Sequence, residues 1–298
     1  MSSKNQPRPT NAERTALARQ KAKTIRDAQL KKEKRNSWLI RGGVLAAAVA
    51  IVVVIALIVI QTNKANEPIA SNGPVPANTN VYGGIEFGKD GVLIPPTTAE
   101  TTVDTAKLPA QPTAAATKAS GLDEIGIKAT AAGKPAQAVI YLDFMCPACN
   151  NFEKQYSDQL TKWQNDGTIT LEYRPLNFLD RFSSGTNYSS RAAAAAACVA
   201  DTSPDKYKTF FDSLFANQPA ENGKGLDNAT LVKLATEAGA ADISSCVNDK
   251  TFRPYVANTS GLASAHGVNA TPTVFIDGQQ WQDGALPDFV NGIVAAKK

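Results

Sequence analysis

With 298 residues and 43% hydrophobic side chains, the chain has room for one or two domains and an ordinary globular composition, which alone excludes little. The formal charge of +4 hides an asymmetry: residues 1–41 carry twelve Lys or Arg against three Asp or Glu, and the remainder carries 19 basic and 24 acidic residues. The basic character belongs to the N-terminus alone, where no nucleic-acid motif or aromatic interleaving accompanies it, so it reads as a cytoplasmic topology signal and no nucleic-acid partner is expected.

From Gly42 to Asn63 no residue is charged, and Val44 to Ile60 reads VLAAAVAIVVVIALIVI. As a helix this stretch is roughly 33 Å long, enough for a hydrocarbon core of about 30 Å. A cleaved signal peptide has a short basic segment and an apolar core of about 7 to 15 residues. Here some forty residues come first, so residues 42–63 read as an uncleaved single-pass membrane anchor. Arg41 and the cluster from Lys31 to Arg35 abut its N-terminal end, with Trp38 at interfacial depth. By the positive-inside rule the N-terminus is cytoplasmic and everything beyond about Asn63 is extracytoplasmic.

Residues 64–121 turn to Pro, Thr, Ala, Asn and Gly, with seven of the seventeen prolines before Ala119. Such a segment buries too little to offset its ordering entropy and reads mainly as a tether. Within it, residues 81–94 (VYGGIEFGKDGVLI) place two short apolar runs around Lys89-Asp90-Gly91, which predicts a small hairpin or an added edge strand.

Residues 122–298 carry the signals of a compact α/β unit. AVIYLDF from Ala138 is a buried strand, followed by Cys146-Pro147-Ala148-Cys149 and a helix from Asn150 to about Asp166. Thr168 to Tyr173 is a second strand. An Ala-rich stretch from Arg191 to Ala200 and helices over 205–217, 227–239 and 252–266 follow, with starts at Ser203-Pro204 and Asp227. A strand over 271–277, a short strand at Gln280 to Trp281 and a helix from Pro287 to Ala296 close the chain.

A C-x-x-C pair between a buried strand and a helix start sets the first sulfur against free helix amides, which stabilise a thiolate. Cys146 is the expected nucleophile, and Cys149, one turn inside, is the resolving thiol. Pro147 suits the first helical turn, where its missing N–H costs nothing. A zinc site would need about four ligands; the other cysteines, Cys198 and Cys246, are single and His266 is the only histidine. A redox pair with no metal and no cofactor is therefore expected, ahead of a purely structural disulfide.

YLDFMCPAC, a long helical stretch, then HGVNATPTVFIDG, resemble the DsbA-like thiol-disulfide oxidoreductases, more narrowly the membrane-anchored actinobacterial and Gram-positive type. The resemblance covers roughly residues 122 to 298. It implies an α/β thioredoxin fold with an α-helical domain inserted at about 180–265, here preceded by a transmembrane helix and linker. It also implies that Pro272 is a cis-proline beside the dithiol, with Thr271 before it. The backbone of Thr271 could then pair with an extended substrate chain and align its cysteine with Cys146.

Strongly oxidising members have histidine where this chain has Ala148. Without the imidazole a Cys146 pKa above their ~3.5 and a weaker oxidant are expected. Asp143 has two readings, a proton relay for the thiols or a cap on the following turn. His266 reads as a helix C-terminal residue before Gly267, with a catalytic base as the alternative. Cys198 and Cys246, both on the oxidising side, read as a structural disulfide closing a loop worth about 4 kcal/mol; the resemblance agrees, and a second redox pair is the alternative.

Three functions fit. One is an oxidase that donates the Cys146–Cys149 disulfide to exported cysteine-containing proteins and is reoxidised, by family analogy, by a quinone-linked membrane partner. Another is a reductase or isomerase, as in cytochrome c maturation. The last is a membrane-tethered, non-catalytic binding module.

Overall fold

The computed structural model describes residues 68–97, 100–111 and 118–297, together with seven separate positions between 19 and 32. The expected anchor at 42–63 lies outside the described residues. Among the described residues no helix is long and apolar enough to cross a membrane.

From Pro68 onward the chain first lays down four short strands, β1 (Asn72–Pro74), β2 (Ile85–Phe87), β3 (Leu93–Ile94) and β4 (Thr102–Asp104). β1 pairs antiparallel with β4 in a separate two-stranded ribbon. β2 and β3 form an antiparallel hairpin across Lys89–Gly91, where Asp90 and Gly91 take positive φ of 58° and 73°. That is the left-handed geometry Asp-Gly supplies at low cost.

After Leu122 come β5 (Ala136–Leu142), α1 (Pro147–Asp166), β6 (Ile169–Pro175) and then five helices: α2 (Tyr188–Thr202), α3 (Tyr207–Ala216), α4 (Asn228–Glu237), α5 (Ser244–Asn248) and α6 (Arg253–Ala265). β7 (Thr273–Ile276), β8 (Gln279–Trp281) and α7 (Leu286–Ala296) complete the chain. The main sheet has six strands in the order β3-β2-β6-β5-β7-β8. β5 and β6 are parallel through the α1 crossover, and every other pair is antiparallel.

The apolar run of β5 is nearly continuous because both faces of the sheet are covered. Ala138, Ile140 and Leu142 join the larger core with α1 and the helical insertion, while Val139 and Tyr141 face Ile125, Ile127, Leu176 and Phe275. In α2 the run Ala192–Ala197 is buried throughout, so small side chains let the other helices approach closely. Aromatic rings lock the insertion onto the sheet: Phe211 packs 4.4 Å from Tyr173, and Phe144 lies 5.5 Å from Phe211 and 5.3 Å from Phe215. Phe144 stands two residues before Cys146.

The tether reading of residues 64–121 is corrected over most of its length, since the compact unit begins at Pro68 rather than near Leu122. The segment has little core of its own and instead spends its polar groups on the body. Asn78 donates to the carbonyls of Ala200 and Asp201, the Ala77 N–H donates to Asp201, and the Tyr255 hydroxyl donates to the Asn80 carbonyl at 2.7 Å. Asn80 donates at 2.6 Å to Glu172, itself paired at 2.7 Å with the fully buried Arg174. Arg174 also donates to the Ile125 carbonyl and the Tyr141 hydroxyl, and its guanidinium faces the rings of Tyr82 and Tyr141. Ile85, Phe87 and Val103 add buried apolar surface. These side chains sit scattered among prolines and threonines, which is why composition alone hides the docking.

Candidate active site

β5 ends at Leu142, and the turn Asp143-Phe144-Met145 carries the chain from the sheet into α1. The Cys146 N–H donates to the Asp143 carbonyl at 3.0 Å, and Cys146 is the N-cap of α1, with extended φ/ψ of −76° and 116°. Pro147 occupies the first helical position, as expected. Asp143 caps this turn: its carboxylate accepts from the Met145 N–H (2.8 Å), the Leu179 N–H (2.9 Å) and the Ser189 hydroxyl (2.6 Å). Burial outweighs those three bonds and pushes the carboxyl up to about 7. The backbone N–H of Asp143 also donates to Cys149 Sγ at 3.5 Å.

Cys146 and Cys149 are free thiols; Cys146 keeps 6% of its surface exposed and Cys149 only 1%, so an incoming chain meets Cys146 first. Pro147 and Ala148 are exposed beside it. The Cys146 thiol is lowered from 9.0 to about 6. The largest cause is hydrogen bonding from Cys149; Thr271 and then the backbone amides of Cys149 and Ala148 add to it, against burial. The helix amides contribute as expected, yet the neighbouring thiol outranks them. Burial and its bond to Cys146 drive Cys149 the other way, far above the ordinary thiol range. The pair is thus polarised, with one sulfur poised as thiolate and its neighbour kept protonated.

The second motif lies directly against the first. The Thr271–Pro272 peptide bond is cis, and Cys146 Sγ donates to the Thr271 carbonyl at 3.3 Å. Thr271 and Pro272 remain partly exposed at the head of β7. Cys198 and Cys246 are joined in a disulfide with Cα atoms 6.1 Å apart, tying α2 to α5. His266 is the C-cap of α6, its Nδ1 3.1 Å from the Ser120 carbonyl, and takes no part in the dithiol site. Among the described residues no cluster of three or more His, Cys, Asp or Glu side chains able to hold a metal forms.

Three residues in or behind the site carry no signal in the sequence. Ser189 belongs to the insertion and reaches Asp143 only through the fold. Glu153, one turn beyond Cys149 in α1, is buried, and burial pushes it up to about 7 against the opposing pull of Lys208. Gln218, between α3 and α4, donates through Nε2 to the carbonyls of Phe144 (3.1 Å) and Cys146 (2.9 Å).

A family model described as thioredoxin matches residues 129–294. The chain belongs to the thioredoxin family. Oxidised DsbA of Mycobacterium tuberculosis is 40% identical over 53% of this chain and 83% of its own, with a TM-score of 0.48. Oxidised BdbD of Bacillus subtilis, 18% identical with a TM-score of 0.52, covers 76% of this chain and 98% of its own and shares the fold. The serine/threonine-protein kinase PknE of M. tuberculosis is 32% identical over 150 residues, 47% of this chain; the match spans only 26% of that kinase. Within the thioredoxin family the likeness is to DsbA-like thiol-disulfide oxidoreductases of actinobacterial and Gram-positive type.

Proposed function

We propose that this thiol-disulfide oxidoreductase is an extracytoplasmic oxidase that donates the Cys146–Cys149 disulfide to exported proteins. The observation that carries the exchange chemistry is the opposed tuning of the two sulfurs, with Cys146 lowered to about 6 and Cys149 raised; the oxidising direction rests on the sequence likeness to DsbA proteins and on the extracytoplasmic side read from the sequence. A client thiolate attacks Cys146 Sγ of the oxidised pair. The 146–149 bond breaks, and Cys149 leaves with the electron pair and takes up a proton. The client's second thiolate then attacks the client sulfur of the mixed disulfide and expels Cys146 as a thiolate. A leaving thiol of low pKa departs readily, which drives this second step forward. Two electrons pass from client to enzyme for each disulfide made. Asp143, with its carboxyl near 7 and its backbone N–H on Cys149 Sγ, is the group this reading assigns to exchange the proton. The Thr271 carbonyl, beside the cis peptide bond, offers backbone for an extended client strand.

The same reading makes residues 42–63 a single-pass anchor with residues 1–41 in the cytoplasm, and assigns reoxidation to a quinone-linked membrane protein. The apolar length and the charge asymmetry support it. A second reading, a reductase or isomerase, is favoured by Ala148 and by a Cys146 value nearer the ~7 of thioredoxin than the ~3.5 of strongly oxidising DsbA proteins.

Equilibrating the pair with glutathione separates the two, because a potential well below about −250 mV would assign a reductase. In cells, Cys149→Ala should accumulate mixed disulfides with exported proteins; their absence would leave the tethered binding module as the better description.

A further inference from the structure

We propose that Gln218, supplied by the helical insertion, is a positioning residue that holds the Phe144–Met145 and Cys146–Pro147 peptide groups of the active-site turn and so sets the reactivity of Cys146. The inference rests on Cys146 being the exchanging thiol and assigns the insertion a part in tuning it.

The side-chain amide of Gln218 has two N–H groups and one oxygen, and each has a partner. Nε2 lies 3.1 Å from the Phe144 carbonyl and 2.9 Å from the Cys146 carbonyl. Oε1 accepts from Asn150 Nδ2 at 3.0 Å, and Asn150 Nδ2 also donates to the Phe215 carbonyl at 3.3 Å. The opposite orientation of the Gln218 amide would set its oxygen against two carbonyl oxygens, so Asn150 fixes which end faces the active-site turn. The Cys146 carbonyl also accepts the Asn150 N–H at 3.2 Å, which its two lone pairs allow.

These two carbonyls bracket the nucleophile. Each carries partial negative charge within two residues of the nucleophile, and a donor on each reduces its repulsion of a thiolate. By restraining the Phe144–Met145 and Cys146–Pro147 peptide groups, Gln218 also keeps Sγ directed at the amides of Ala148 and Cys149 and at Thr271. Closed polar networks of this kind hold geometry better than their separate bonds. Ser189 of the insertion and the Leu179 N–H just before it both hold Asp143 at the same corner. Neither touches the peptide groups of Cys146 itself.

The test is a titration of the Cys146 thiolate by its ultraviolet absorbance, with the glutathione equilibrium alongside, on the full chain and on Gln218→Met, which keeps length and removes both donors. The Cys146 pKa should rise by about half a unit, roughly a threefold loss of thiolate below the midpoint, and the equilibrium should shift about as far towards the disulfide. Gln218→Glu should raise it further, because it adds charge as well as removing donors. Asn150→Ala, which frees the amide without touching the carbonyls, should give a smaller rise in the same direction. A folded Gln218→Met with the wild-type titration and equilibrium would overturn the proposal. If that variant does not fold, a wild-type profile in Asn150→Ala would do the same. Wild-type Cys146 titrating as an ordinary thiol would instead sink the exchange reading on which the inference rests.

Discussion

Two cysteine pairs share one chain, and they differ in what surrounds the sulfur. Cys146 is the N-cap of α1, where the Cys149 thiol, the Thr271 side chain and the amides of Cys149 and Ala148 converge on it. Cys198 lies inside α2, where the helix spends its amides on its own hydrogen bonds, and it is sealed into a disulfide with Cys246. Spacing alone does not make the first pair reactive and the second inert. Position relative to a helix start does, together with one neighbour held as a proton donor.

The broadest way to break this contrast is to remove each pair in turn. Cys146→Ser should lower disulfide transfer to a reduced model client by about 10³-fold or more. The double variant Cys198→Ser/Cys246→Ser should stay within about threefold of wild type at 25 °C. Comparable losses in both would make the second pair part of the redox path. That double variant should pay in stability instead, losing about 2–5 kcal/mol in urea unfolding, as expected for a closed loop of this length.

A finer probe is pH. Cys146 has a folded-state value near 6, below its ordinary 9.0. The reduced fold therefore gains stability as pH rises from about 6 towards 9, and loses that gain as pH falls through 6. Asp143 and Glu153 act oppositely, since both are pushed up to about 7 from 3.8 and 4.5. Their contribution is complete below those ordinary values and lost as pH rises through 7. Both redox forms carry those carboxyls, so the stability difference between reduced and oxidised protein, followed by urea melts from pH 5 to 9, should rise with pH. A flat difference would mean that Cys146 is not a stabilised thiolate. Smallest is the effect of Ala148→His, which should lower the Cys146 pKa by about one unit by placing an imidazole beside the thiolate. An unchanged or higher value would refute the explanation offered for the missing histidine.

Much of the redox corner was legible because its signals are local. A strand pattern, a C-x-x-C pair, a proline at the helix start and the Thr-Pro before an apolar strand each occupy a few adjacent residues. Asp227 was equally plain as a cap, and it accepts the Thr230 N–H at 2.7 Å. What stayed hidden is long-range. Ser189 meets Asp143 across 46 positions and Gln218 meets Cys146 across 72, and nothing in a Ser-Ser or Gln-Pro dipeptide marks such contacts. The short helix α5, only five residues long, has too few turns to show a period. The docking of residues 68–97 and 100–111 leaves no local pattern because its stabilisation comes from hydrogen bonds into another part of the chain.

That docking has a practical consequence at the outer edge of the sheet. β2 covers β6 through the pairs Ile85 with Tyr173, Glu86 with Glu172 and Phe87 with Leu171. A fragment cut at Leu122 would strip this cover, bare the backbone of a long apolar strand, and strand the Arg174–Glu172 pair without Asn80 and Tyr82. Naked edges of this sort invite strangers to add themselves as the next strand. Such a fragment should clump during purification, whereas one starting at Pro68 should stay in solution.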